Sequence, residues 1–453
     1  MTKDTRKRMQ CVVPYNDDCP FPLENLPWTV FYTDKDAAHR VGVGLGDYVV
    51  DLAALSRHDS IFTKEDAPIK SPFTASEAHN VFSQPKLNAY LALPRKQQRQ
   101  FRAFLQSIFS VSSGAKTMPK ELLEDILIPL TSAHLVLPIE CGDYSDFCAS
   151  REHSTNMGQI MFNDPDRPLE KQWFEFPIAY HGRASSLIAS GTPIHRPWGL
   201  FKPRGVPDAQ ATFSPTRVLD YELEMAFVIG GGVGNKLGDQ IRVEDGLDHV
   251  FGMTLMNDWS ARDIQGYEMV PLGPFQGKNF ATTISPFIVE TDALDAFSVA
   301  APLQSPRPLD HLYQKGATQY NIELQALYRS KDHESWTVAT DTNYRYMYWT
   351  AAQMVAHHTA SGCPLRPGDL LGSGTISGPP DHPNSRACLM EKTYGGKTSF
   401  ALLSDSSEVV ETRTFIQDGD TVRFTGRCHD PETGVFIGFG DCAGTILPAI
   451  PRT

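Results

Sequence analysis

The chain is short of positive charge: 41 Lys and Arg stand against 53 Asp and Glu, a formal net charge of −12. That balance argues against a nucleic-acid binder, because phosphate recognition needs a basic face. It leaves room for a small anionic substrate, since a local cluster of Arg and Lys can outweigh the global sign. No run of about 18 apolar residues occurs, so no membrane-spanning helix is expected. The eight cysteines, at positions 11, 19, 141, 148, 363, 388, 428 and 442, contain no C-x-x-C pair and no dense framework, which fits a reducing compartment. The N-terminal MTKDTRKRMQCVV lacks the apolar stretch of a secretory signal. Its basic residues Arg6, Lys7 and Arg8 form too short and too serine-poor a segment for a mitochondrial presequence. The C-terminal IPRT is not a peroxisomal address, so the cytoplasm is the expected compartment. A G-x-S-x-G elbow, an H-E-x-x-H pair and a P-loop are also missing, which removes the common serine-hydrolase, zincin and NTPase chemistries.

What remains is a globular composition, 41% hydrophobic and 10% aromatic over 453 residues, enough for one large domain and a smaller one. Val41, Val43 and Leu45 alternate with Gly42, Gly44 and Gly46, and Gly46-Asp47 turns into Tyr48, Val49 and Val50. That pattern predicts a hairpin of a small barrel-like unit. Residues 85–128 switch to helical spacing through Leu91, Leu93, Phe101, Phe104, Leu105 and Phe109. The stretch Ile128–Cys141 reads as a connector and places a boundary near residue 140, dividing the chain into 1–140 and 141–453. Beyond it, turn signals recur between short β-rich runs, which predicts a mixed, strand-dominated region of antiparallel character. One clear helix is expected from Met347 to Thr359, stopped by Ser361, Gly362, Cys363 and Pro364.

Three segments are dense in residues that a core would not choose. The first runs from Asp143 through Asp146 to His153. In the second, Asp220, Glu222 and Glu224 share one face of a strand, and stacked carboxylates repel one another unless a cation lies between them. An E-x-E is ordinarily a solvated edge, but the apolar continuation from Met225 to Ile229 carries this strand into a core. In the third, a helix beginning near Asp258 would align Asp258, Arg262 and Gln265, with Lys278 presented by a loop between Gly277 and Asn279. The plain alternatives are an intrahelical Asp–Arg pair and a surface lysine. Together, Asp146, Glu222, Glu224 and Asp258 offer oxygen-only ligation, which selects Mg²⁺ or Ca²⁺ over zinc. His153 is then free to act as a base, and Glu391 is a candidate for the carboxylate that orients it. His357 and His358, adjacent on the expected helix, point apart and read as structural.

These segments resemble the fumarylacetoacetase family. The resemblance is carried by DYSDF (Asp143–Phe147) with REH (Arg151–His153), YHGRASS (Tyr180–Ser186), DYELEMAF (Asp220–Phe227), MNDWSARDIQ (Met256–Gln265), PLGPFQGK (Pro271–Lys278), LRPGDLLGSGTISG (Leu365–Gly378) and GFGDCAG (Gly438–Gly444), all in order. Phe21–Pro27 (FPLENLP) extends it more weakly to the N-terminal unit. The resemblance implies a small SH3-like N-terminal barrel, a large C-terminal β-roll of the fumarylacetoacetase fold, and a homodimer. It implies a hydrolase that cleaves a carbon–carbon bond in a 1,3-dicarbonyl, converting fumarylacetoacetate and water to acetoacetate and fumarate in tyrosine and phenylalanine catabolism. It implies Mg²⁺ or Ca²⁺ on Asp146, Glu222, Glu224 and Asp258 with Lys278 and Thr282 nearby, and His153 as base with Glu391 as its partner. Arg262, Gln265 and Lys278 would stabilise the oxyanion, and Tyr180 and Thr375 match substrate-contacting positions.

The sequence departs from the family pattern at three expected substrate contacts. Cys148 and Met269 stand where the family has tyrosine, and Asn163 stands where it has an arginine, beside a one-residue insertion and close to Arg167. Losing phenol and guanidinium donors removes handles for a carboxylate. This raises the alternatives of a bulkier or less anionic acyl substrate, or of decarboxylase, isomerase or bond-forming chemistry on the same fold.

Overall fold

The computed structural model describes residues 8–63, 68–111, 118–202 and 210–452. Arg6 and Lys7 lie outside the described residues. The hairpin forms as the alternation requires: Asp36–Leu45 pairs antiparallel with Tyr48–Asp51, and Gly46 turns at φ 62°. Trp28–Thr33 extends it on one side, and the stretch expected to be a plain connector supplies Leu127–Pro129 and His134–Val136, the two edges of this five-stranded sheet. The helical spacing resolves into Asn88–Leu91, Arg95–Phe109 and Lys120–Ile126.

Residues 144–447 hold a second, larger sheet whose strand order includes Ala179–His181, Tyr144–Phe147, Leu370–Gly372, Leu223–Ile229, Val250–Asp258, Thr282–Ile284 and Leu187–Ala189. It is antiparallel at its centre but not throughout, since Leu370–Gly372 runs parallel to Tyr144–Asp146 and Thr282–Ile284 parallel to Leu187–Ala189. Strand alternation explains its unbroken apolar run. Leu223, Met225, Phe227 and Ile229 enter the larger core, while Ala226 and Val228 pack on the opposite face against the N-terminal unit. Both faces are buried, so no polar stripe survives in the sequence except near the strand ends, where Glu224 falls.

The N-terminal unit closes over that second face. Trp28 stacks on Tyr90 at 4.1 Å, meets Phe251 edge-on, and donates its indole N–H to Glu290 at 2.6 Å. Trp28 also exchanges backbone bonds with Ile288, 2.8 Å each way. The late helix is Ala351–Thr359, shorter than the periodicity suggests, because Thr350 and Gln353 form a capping box that fixes its start. Among the described residues no helix is long and apolar enough to cross a membrane, and all eight cysteines are free.

Candidate active site

The central sheet delivers carboxylates from separate strands to one point. Asp146 pairs with Gly372 in the parallel ladder and with Tyr180 on its other side, while Asp258 pairs with Thr282. Glu222 lies just before the strand that carries Glu224, and its carbonyl accepts the amide of Asp258 at 3.4 Å. One ligand oxygen from each of Asp146, Glu222, Glu224 and Asp258 falls within 4.8 Å of the others, all four residues buried. Gly372 makes the convergence possible, because a Cβ there would meet Asp146 Oδ1 at 2.3 Å.

Two sequence expectations change here. Asp258 ends the strand Val250–Asp258 and does not begin a helix; the helix is Arg262–Glu268, started only after Ser260–Ala261 pairs with Leu219–Asp220. Asp220 also leaves the row of acids, since the strand breaks between Leu219–Asp220 and Leu223–Ile229 and its carboxylate turns to Arg262.

Fixed cations balance part of the cluster. Lys278 Nζ donates to Glu222 and, at 2.8 Å, to Asp258; Arg262 Nη1 donates to Glu222 at 2.7 Å and to Gln265 at 3.2 Å. Lys278 reaches this position because Gly277 packs against Gln265, where a Cβ would meet backbone N at 2.7 Å, and because Glu268 accepts the amides of Phe275, Gln276 and Gly277. Burial alone would raise the Glu222 carboxyl, but Lys278, Arg262 and His153 outweigh it and hold it below the usual range. Asp146 and Glu224 gain too little from Lys278 to offset their surroundings. Burial first, then the neighbouring carboxylates, lifts both well above the ordinary carboxylate range. Asp146 Oδ1 and Glu224 Oε1 are buried without a hydrogen-bond partner, and Thr282 Oγ1 lies 3.4 Å from Asp258 Oδ1. Two orphaned oxygens among four converging carboxylates fit a hard divalent cation.

His153 sits beside this cluster on the helix Arg151–Phe162, whose start is capped by Ser150 Oγ accepting the His153 amide at 3.2 Å. Its Nδ1 lies 2.7 Å from Glu391 Oε2, and its Nε2 faces the cluster, 4.0 Å from Glu222 Oε1. Glu391 is buried but fully engaged: Asn156 donates to Oε1 at 2.8 Å, and Ser377 (2.8 Å) and Cys388 (3.2 Å) donate to Oε2. Burial would raise this carboxyl, yet the His153 charge and these hydrogen bonds hold it low. A low carboxylate at Nδ1 fixes the tautomer that leaves Nε2 available as a base.

Asp146, Glu222 and Glu224 of the cluster and His153 of the dyad open into one cleft of about 480 Å³ with mostly apolar walls, including Phe147, Met157, Met161, Leu169, Trp173 and Leu272. Cys148, Tyr180, Met269 and Thr375 line it, with Tyr180 donating to Asp258 Oδ2. Burial holds the Cys148 thiol at about 11, and it contacts Ser154 Oγ at 3.0 Å. Asn163 does not line the cleft. It closes the helix in the left-handed region at φ 50°, and its side chain accepts from Lys397 at 2.6 Å. His357 and His358 stand apart from the cluster, the first stacked on Phe176 and the second 3.0 Å from Ser145.

Comparison with known proteins decides the family. A fumarylacetoacetate hydrolase C-terminal family model matches residues 144–447, and a fumarylacetoacetase N-terminal model matches 24–138. The chain belongs to the fumarylacetoacetate hydrolase family. It is 42% identical over 444 residues to the fumarylacetoacetase of Dictyostelium discoideum, covering 98% of this chain and 99% of that one. It is 42% identical over 438 residues to the fumarylacetoacetase of Homo sapiens, covering 97% and 99%. Among solved structures, a fumarylacetoacetate hydrolase from psychrophilic Exiguobacterium antarcticum shares the fold at a TM-score of 0.50 and 15% identity, covering 93% of this chain and 99% of that one.

In this member of the family, sequence reasoning missed Asn156, Ser377 and Cys388, the other donors that hold Glu391. Asn156 was findable, since it lies three residues after His153 on the same helical face. Ser377 and Cys388 needed the fold to bring them together. The electrostatics also give an expected pH dependence. With Asp146 and Glu224 raised in the folded, metal-free protein by burial and by the carboxylates around them, stability falls as pH rises from the ordinary carboxylate range through their elevated pKa values. A divalent cation must displace those protons. Mg²⁺ binding should therefore release protons, and the rise in melting temperature on adding Mg²⁺ should grow as pH is raised from the ordinary carboxylate range toward neutrality. Calorimetry in buffers of different ionisation enthalpy and thermal melts across that range measure both.

Proposed function

We propose that this protein is a metal-dependent hydrolase that cleaves the carbon–carbon bond of fumarylacetoacetate, releasing fumarate and acetoacetate. One observation carries the reading: four buried carboxylates converge, two of them with an orphaned oxygen, beside a cleft that also holds His153 of the His153–Glu391 dyad and Arg262, Gln265 and Lys278. Asp146, Glu222, Glu224 and Asp258, with Lys278 and Thr282 around them, would hold Mg²⁺ or Ca²⁺, and the oxygen-only donor set favours either over zinc. When bound, that ion supplies Lewis-acid polarisation of the two oxygens of a 1,3-dicarbonyl.

The rest is work for this chain's side chains. His153 Nε2 accepts a proton from water as the water oxygen adds to the carbonyl carbon next to the bond that breaks. Glu391 holds the ring in place and stabilises the imidazolium. Arg262, Gln265 and Lys278 face the negative charge that grows on the carbonyl oxygen, where removing one fixed donor costs about 3 kcal/mol. Collapse of the tetrahedral adduct expels the carbon leaving group as an enolate, and protonation of its carbon completes the second product. Tyr180, Thr375, Cys148 and Met269 line the space for the substrate.

Identity with fumarylacetoacetases over nearly the whole chain favours this reaction over a bulkier or less anionic acyl substrate, and over decarboxylation, isomerisation or bond formation. The same kinship supports tyrosine and phenylalanine catabolism as the setting, a homodimeric assembly and a cytoplasmic location. It also supports an SH3-like reading of the N-terminal five-stranded sheet, with the catalytic domain beginning near residue 141. The test is direct. Purified protein with Mg²⁺ should consume the enol absorbance of fumarylacetoacetate and yield fumarate and acetoacetate in equal amounts by chromatography. Turnover of simple acylpyruvates or 1,3-diketones with none of fumarylacetoacetate would overturn the assignment.

A further inference from the structure

Asp220 lies outside the metal cluster, yet it is one of the most heavily bonded carboxylates in the structure. It is fully buried. Its Oδ2 accepts from Arg262 Nε at 2.9 Å and lies 2.9 Å from Arg262 Nη2. Its Oδ1 accepts the backbone amide of Leu389 at 2.6 Å, and Oδ2 accepts that of Met390 at 2.9 Å. Those amides open the short helix Leu389–Lys392 that carries Glu391, and the residue at its start, Cys388, makes no side-chain cap. The cap comes from Asp220, 169 residues away in sequence.

We propose that Asp220 is a positioning residue that locks the oxyanion arginine and the Glu391 helix into one register. The inference rests on the roles given above to Arg262 and Glu391. The physical case is that one carboxylate serves both ends of the reaction. On one side it fixes the guanidinium from behind, so that Nη1 alone is turned toward Glu222 and Gln265. On the other it satisfies helix-end amides that would otherwise be buried without partners. Backbone bonds between the same segments, Leu223 N to Ala387 O at 3.0 Å and the bridge between Glu222 and Cys388, hold the main chains together. They leave the rear of the Arg262 guanidinium and the first amides of the helix to Asp220. An amide in its place offers one accepting oxygen for four donors, Arg262 and the amides of Tyr221, Leu389 and Met390, so either Arg262 or Glu391 must shift.

The experiment is Asp220→Asn in the full-length enzyme with saturating Mg²⁺. A misplacement of about 1 Å costs about 100-fold in rate. The expected result is therefore a fall in kcat of about 100-fold, with KM and Mg²⁺ affinity within about threefold of the parent. Combined with Arg262→Lys, the loss should be smaller than the product of the two single losses, because both changes disturb the same contact. A kcat within about threefold of the parent, or a loss that merely follows the folded fraction by circular dichroism, overturns the inference. If the asparagine variant does not fold, Asp220→Glu keeps the charge and moves it by one methylene. It should lose rate with native circular dichroism and near-native KM, and an unchanged kcat overturns the inference. A parent that does not turn over fumarylacetoacetate overturns the functional reading and this one with it. An active parent with an unaffected variant overturns only this one.

Discussion

Replacing His153 with alanine is expected to lower kcat on fumarylacetoacetate by about 1,000-fold, within the range a positioned base contributes. KM and Mg²⁺ affinity should change little, because the imidazole touches the cluster only through Nε2, 4.0 Å from Glu222. The protein should still fold. Glu391 keeps three donors when the ring is gone, from Asn156, Ser377 and Cys388, so no buried charge is stranded. Glu391→Gln should produce a smaller loss of the same kind. Glu391 Oε2 accepts from three groups, and an amide nitrogen in its place would repel all three, so the glutamine must present its oxygen there and its nitrogen toward Asn156. The ring then keeps a partner but loses the charge that stabilises the imidazolium. Steady-state kinetics with thermal melts of both variants check the point; a His153→Ala enzyme within about tenfold of the parent kcat would assign the base elsewhere.

How much of this was legible beforehand follows from what each residue's position depends on. Glu222 and Glu224 could be read because alternation along a strand is a local rule, and because the run beyond them is too apolar for an exposed edge. The hairpin at Gly46 was legible for the same reason. Asp258 was assigned to a helix because its spacing to Arg262 is helical, but a sheet pairing with Thr282 won over local periodicity. Asp220 was misgrouped because alternation assumes an unbroken strand, and pairing of Leu219–Asp220 with Ser260–Ala261 breaks it. The edge strands Leu127–Pro129 and His134–Val136 were hidden because three-residue strands carry no period at all. Asn163 was expected in the cleft from the family pattern. The structure uses it to end a helix in the left-handed region, a role for which asparagine is suited on physical grounds alone.

Removal of the divalent cation should have the other large effect. Chelation is expected to lower turnover by about 1,000-fold or more, since Lewis-acid stabilisation is worth several kcal/mol and each 1.36 kcal/mol is a decade in rate. Mg²⁺ or Ca²⁺ should each restore activity. A rate unaffected in demonstrably metal-free protein would sink the metal-dependent mechanism. The same site makes a second, independent prediction through stability. At 100 times its dissociation constant an ion that binds only the folded state adds about 2.7 kcal/mol, so the melting temperature should rise with added Mg²⁺. Glu224→Gln separates the two contributions of this carboxylate. The glutamine oxygen can still accept the Gly374 amide, now 2.9 Å from Glu224 Oε2, and its nitrogen can donate toward Asp146, whose ligand oxygen lies within 4.8 Å. One like-charge repulsion disappears from a cluster in which burial first, then Asp146, Glu222 and Asp258, raises the Glu224 carboxyl. The metal-free variant should therefore melt above the metal-free parent near neutral pH, while gaining less from Mg²⁺ and losing activity. A carboxylate retained for the stability of the fold would give the opposite sign: a variant that melts lower with or without the ion.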